Sequence, residues 1–198
     1  MPSNGKGFQV GSNPATQPEV AHVRVSSSSV YGEKSVSETM IPFKLNEAGW
    51  WGSIPACAGW YRILTDTPID RLRSLPPPKG AKHYNIPDRI AFAAGAIELH
   101  MVIEQARSGE LYTIYSGEHP SLKRRAREHY SGHQATACLA LGQYAEHLGN
   151  EFKWEFAYNT FEAGMSNSGC TASDDKLLRI IIEQQWRAQK GWPVLCLN

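Results

Sequence analysis

The sequence predicts a small α/β (α+β) domain. Its centre would be a mainly antiparallel three-stranded sheet flanked by helices, with a long helical insertion between the first two strands and an N-terminal arm. Two observations predict the sheet and its helices. Residues 59–65, 110–116 and 152–161 have the β-branched, aromatic or alternating character of strands, and the stretches between and after them repeat their apolar residues at helical spacing. A third observation sets the scale: 198 residues, 41% hydrophobic and 20% charged, fit a single globular domain.

Residues 1–42 are rich in Ser, Gly, Asn, Pro and Thr, and only 20–25 and 29–31 have any strand character. They read as an arm or irregular extension ahead of a domain spanning 43–198. A lead-in carrying Trp50 and Trp51 precedes the first strand, Gly-Trp-Tyr-Arg-Ile-Leu-Thr. The insertion, about 66–109, opens with Leu75-Pro-Pro-Pro, which must be extended or looped. A helix is expected from Pro87 to Arg107. Pro suits a helix start, Asp88 suits the first turn, and Ile90, Ala94, Ile97, Met101 and Ala106 recur at helical spacing. After the second strand, Ser121 can cap a basic helix, and 135–144 reads as a further apolar helix. A loop over 164–173 leads to a last helix that Gly191 and Pro193 stop.

A net charge of +1 confines any basic surface to a local patch. No apolar run approaches the roughly 20 residues a membrane helix needs, and the N-terminus lacks the apolar core of a secretory signal. Cys57, Cys138, Cys170 and Cys196 form no Cys-x-x-Cys pair, so a reducing, cytoplasmic setting with thiols as small apolar side chains is expected. No partner in a membrane is expected.

Several residues could carry chemistry. Tyr61 and Tyr115 stand near a Gly in two strands, and neighbouring strands would bring both phenols to one side of the sheet. Arg125 and His129 are four apart and share a helix face. A guanidinium grips phosphate as a fork and can take up transition-state charge. Glu183 lies at the edge of an apolar stripe, among Arg179, Ile180, Trp186 and Arg187. It suits a hard cation such as Mg²⁺, which often takes one or two carboxylates and keeps its waters. It equally suits a boundary glutamate paired with Arg179 or Arg187.

In order and local spacing, Gly59-Trp60-Tyr61, Tyr115-Ser116-Gly117, Leu122-Lys-Arg-Arg125 with His129, the helix carrying Glu183, and Asn198 together resemble the GIY-YIG nuclease superfamily. The likeness covers roughly residues 57–198, and the arginine falls ten residues after the second tyrosine, where the family places its catalytic arginine. A histidine four residues later is similar to the form found in GIY-YIG type II restriction endonucleases.

The resemblance implies a restriction-type, site-specific endonuclease that hydrolyses phosphodiester bonds of double-stranded DNA with one Mg²⁺ (or Mn²⁺) and acts as a homodimer on DNA. Tyr61 would activate or orient water, and Tyr115 would contact the scissile phosphate. Arg125 would stabilise the pentacovalent phosphorus. His129 would bind phosphate or assist proton transfer, and Glu183 would be the single protein ligand of the metal. Asn198 resembles the closing Asn that orders the site. The chain differs from the family in three places. Trp60 stands where the name has Ile, about 50 residues separate the tripeptides, and Glu118 stands where many members carry Lys. Lys123, Arg124 or His119 would then supply the missing phosphate-binding charge. The alternatives are a repair, mobile-element or structure-specific GIY-YIG nuclease, and a DNA-binding module without strong catalysis.

Overall fold

The computed structural model describes residues 38–80, 84–105, 107–133, 135–149, 151–161 and 175–197. They build a mixed α+β unit on an antiparallel sheet of four strands, one more than expected. The strands are β1 (Thr39–Pro42), β2 (Gly59–Thr65), β3 (Tyr112–His119) and β4 (Trp154–Thr160), in the order β1-β4-β2-β3. The additional strand, β1, comes from the stretch assigned to the arm. Its four residues carry no strong strand pattern of their own. They are extended because they pair with β4, Thr39 opposite Tyr158 through Pro42 opposite Glu155. Pro42 is tolerated there because β1 is an edge strand.

The insertion also differs from the expected single helix. It holds α1 (Ile69–Arg73), α2 (Ile86–Phe92) and α3 (Ala94–Glu98). The start of α2 follows its sequence: Asn85 caps it by accepting from the Asp88 N–H, with Pro87 in the first turn. The helical run breaks at Ala93, between α2 and α3, and ends before His100, whose φ of 53° is left-handed. Beyond that point the chain is held extended by the C-terminal segment, with Ile103 N–H donating to Trp192 O at 2.9 Å. The tertiary bond replaces the helical one.

Helix α4 (Leu122–Ser131) starts where expected, Ser121 accepting from the Arg124 N–H. The apolar helix expected over 135–144 does not form. That stretch ends in a 3-10 turn, Leu141–Tyr144, and only the short α5 (Ala145–Leu148) follows. Helix α6 (Asp175–Lys190) is the last, and Gly191 ends it with a φ of 98°. The loop expected over 164–173 lies outside the described residues.

One core gathers Ile63, Ile114, Leu122, Leu139, Leu141 and Phe156, all 0% exposed. β3 is the other edge of the sheet. Its backbone at Ser116 is covered by the C-terminal turn Val194–Cys196: Ser116 N–H donates to Cys196 Sγ (3.3 Å), whose thiol donates back to Ser116 O (3.4 Å). Cys196 therefore seals a sheet edge as well as filling space. No described helix is long and apolar enough to cross a membrane.

Candidate active site

The site begins with two glycines that permit close approach. In the β2–β3 register Tyr61 lies opposite Gly117. A Cβ on Gly117 would stand 2.6 Å from Tyr61 Oη, so only glycine lets the phenol cross β3. A Cβ on Gly59 would stand 2.2 Å from Asn159 O and 2.8 Å from Leu122 Cδ1, so this glycine lets β2 approach β4 and α4. The glycines of both tripeptides are thus steric requirements rather than turn residues.

Helix α4 presents Arg125 and His129 to the same phenol. Arg125 Nε donates to Tyr61 Oη at 2.9 Å, and Nη2 donates to Tyr115 Oη at 3.4 Å and to Ala137 O at 2.7 Å. Nη1 donates to Glu128 Oε2 at 3.2 Å. One guanidinium therefore ties both tyrosines to a carboxylate. The expectation that the two phenols reach a common point is met, with their rings stacked 6.2 Å apart.

His129 sits behind Tyr61, its Nε2 2.8 Å from Tyr61 Oη. Its Nδ1 accepts from Leu139 N–H at 3.3 Å, which leaves the ring proton on Nε2, pointing at the phenol oxygen. Tyr61 Oη then accepts from both Arg125 and His129, and its own proton is left to point elsewhere. Here lies the reason 135–144 is not a helix. Ala137 O and Leu139 N–H serve side chains of α4, so neither enters a helical ladder.

Electrostatics follow from burial. Tyr61 and Tyr115 are 1% and 7% exposed, and burial raises both phenol pKa values above the ordinary 10, against the pull of Arg125. Both are neutral at rest. Burial alone would lower the Arg125 pKa, but Tyr61, Tyr115 and Glu128 more than offset it, so the guanidinium stays charged. Burial alone would raise Glu128, yet hydrogen bonds from Arg124 and Arg125 hold it below the usual carboxylate range.

His129 is 0% exposed, and burial, then the charge of Arg125, lowers its pKa well below 6.5. A second ring proton would also face the Leu139 N–H. The folded protein therefore keeps His129 neutral while the unfolded chain takes up a proton as pH falls through 6.5. Stability owed to this group is complete above that pH and lost below it, by at most about 1.4 kcal/mol per pH unit. His129→Gln is expected to flatten the fall of the urea midpoint below pH 6.5. An unchanged slope would assign acid lability to other groups.

The other half of the site is on α6. Glu183, 8% exposed, accepts at Oε1 from Ser116 Oγ (3.2 Å) and from Arg187 Nη2 (2.5 Å). Among the described residues no bond falls on Oε2. Burial raises its pKa while the charge of Arg187 works against the rise. Glu183 shares a recess of about 40 Å³ with Trp60, Tyr61, Ser116, Gly117 and Trp186. The described residues hold no cluster of three or more His, Cys, Asp or Glu. A cation here would rest on Glu183, since Glu38, which also lines the recess, is tied to Arg62. This fits a hard ion that keeps most of its waters.

The structure thus gathers Tyr61, Tyr115, Arg125 and His129 into one hydrogen-bonded unit and brings Glu183 to a recess that Tyr61 lines. Lys123 and Arg124 do not join them. Lys123 Nζ donates to Gly52 O, and Arg124, its side chain 56% exposed, pairs with Glu128. Helical spacing is the reason: on α4, residues 123 and 124 fall on faces away from the one that 125 and 129 share. Asn198 lies outside the described residues. The negative charge of Glu118 is answered from α6, where Arg179 Nε donates to Glu118 Oε2 at 2.8 Å. Sequence reasoning gave no role in the site to Glu128, Ser116 or Cys196, and took Trp186 only as a helix neighbour of Glu183. Glu128 had a legible signal too, standing three residues after Arg125 on the same helix. No family model, no curated protein and no solved structure matches the chain.

Proposed function

We propose that the protein is a divalent-metal-dependent DNA endonuclease of the GIY-YIG kind, site-specific in the manner of restriction enzymes and acting on duplex DNA as a homodimer. What supports this reading is the unit in which Arg125 bonds Tyr61, Tyr115 and Glu128 at once, while Glu183 lines the same recess as Tyr61. A mere solvated basic helix would not bury its central arginine to 9% exposure against two phenols.

In this reading Tyr61, neutral and with both lone pairs engaged, directs its O–H to the attacking water or to a phosphate oxygen. Arg125 takes up charge as phosphorus becomes pentacovalent. His129 does not touch substrate. It holds the Tyr61 oxygen in place and, with Arg125, would stabilise a phenolate if the proton leaves. Glu128 keeps the guanidinium fork in plane. Glu183 would hold Mg²⁺, which when bound supplies Lewis acidity at the phosphate and a more acidic water.

The test is incubation with long duplex DNA and Mg²⁺, with and without EDTA. Discrete fragments that need the metal are expected, and Glu183→Gln should lower cleavage by roughly 10²-fold or more while circular dichroism shows the fold retained, although the buried Arg187 loses its carboxylate. Smears or branch-dependent cuts would point to a repair or mobile-element nuclease. DNA binding without cutting would leave a binding module, and full activity of the Gln variant would remove Glu183 from the reaction.

A further inference from the structure

Arg187 has no part in that mechanism, yet it is the cation bonded to the proposed metal ligand. Its side chain is 11% exposed and that of Glu183 is 10%. The guanidinium grips three acceptors: Glu183 Oε1 at 2.5 Å, Ser116 Oγ from Nε at 2.9 Å, and Ser116 O from Nη2 at 3.1 Å. Ser116 Oγ in turn donates to Glu183 Oε1. One carboxylate oxygen is therefore saturated by a cation and a hydroxyl. The guanidinium also lies over the ring of Trp192, 5.1 Å from its centre, while it makes these bonds.

We propose that Arg187 is a resident counter-ion that a divalent cation must displace from Glu183, so that metal entry and opening of the recess are one event. The proposal rests on the nuclease reading above, because it takes Glu183 as the metal ligand. Two physical facts drive it. A buried carboxylate needs a partner when no metal is bound, and Arg187 is that partner. Once a doubly charged ion arrives within a few ångströms, the two cations repel in a poorly screened site, and the singly charged, flexible one gives way. Ser116 then holds Glu183 from the strand side while the Arg187 guanidinium gives up its bond to Glu183 Oε1.

The experiment is titration of the full chain with Mn²⁺, without DNA, read as free Mn²⁺ by electron paramagnetic resonance. Arg187→Met, which keeps a stem against Trp192 but loses the charge, should bind Mn²⁺ roughly tenfold more tightly than the wild type. The double variant with Glu183→Gln should lose that site. Circular dichroism checks folding. Should the Met variant fail to fold, Arg187→Lys keeps the charge but not the fork on Ser116 and should still show a smaller tightening. Equal affinity in variant and wild type, with Glu183 required in both, overturns the displacement and leaves the nuclease reading standing. Weaker binding in the variant also overturns it, because Arg187 would then organise the ligand. Binding that survives Glu183→Gln, or no binding in either protein, overturns both the displacement and Glu183 as the metal ligand.

Discussion

Arg125→Lys is expected to lower single-turnover cleavage by roughly 10²–10³-fold, the range seen when one preorganised donor to developing charge is lost. Lysine keeps the charge beside Glu128 but has no planar fork. It cannot bond Tyr61, Tyr115, Glu128 and Ala137 O together as the arginine does. Lost hydrogen bonds should cost about 1–3 kcal/mol of stability, measurable as a lower urea midpoint. Arg125→Ala is the less informative variant. It leaves Glu128, 1% exposed, with the partly exposed Arg124 as its remaining cation, and a buried charge stripped of a partner costs on the order of 3–5 kcal/mol. Near-normal cleavage by the lysine variant would remove the guanidinium fork from the mechanism.

Tyr61→Phe is expected to cut the rate by roughly 10²–10⁴-fold, the contribution of a positioned proton donor or acceptor. The ring, stacked 5.1 Å from Phe156, stays in the core. What disappears is the acceptor shared by Arg125 Nε and His129 Nε2. Two buried donors lose their partner, so stability should also drop by about 1–3 kcal/mol. The two effects separate cleanly: Mn²⁺ binding through Glu183 should persist in this variant, because Glu183 takes its bonds from Ser116 and Arg187. If Tyr61→Phe cleaves as the wild type does, the phenol packs the core and nothing more.

The fold and site were unequally legible in the sequence. The three strands first expected are all present, and the cap at Ser121, the helix start near Pro87 and the stop at Gly191 depend on local chemistry. The places where the pattern misled are those where distant chain took over the backbone. Residues 135–144 have helical composition, but Ala137 O and Leu139 N–H bond to Arg125 and His129. The helix from Pro87 breaks after Phe92 and again after Glu98, and beyond His100 the chain bonds to Trp192 through Ile103 instead. β1 has almost no pattern and is a strand because β4 offers it an edge.

By itself, then, the sequence determined which residues could act together locally. Arg125 and His129 share a face of α4 because they are four apart. Tertiary structure decided everything that joins separate elements. It set Arg125 against Tyr61, 64 residues away, and Ser116 against Glu183, 67 residues away. It also turned His129 into a donor held behind the phenol, answered Glu118 with Arg179, and chose Arg187 over Arg179 as the partner of Glu183. Helical and strand periodicity fix only which side of an element a residue occupies. Which groups then meet depends on sheet register and on how α4 and α6 pack on that sheet, and those are properties of the whole folded chain.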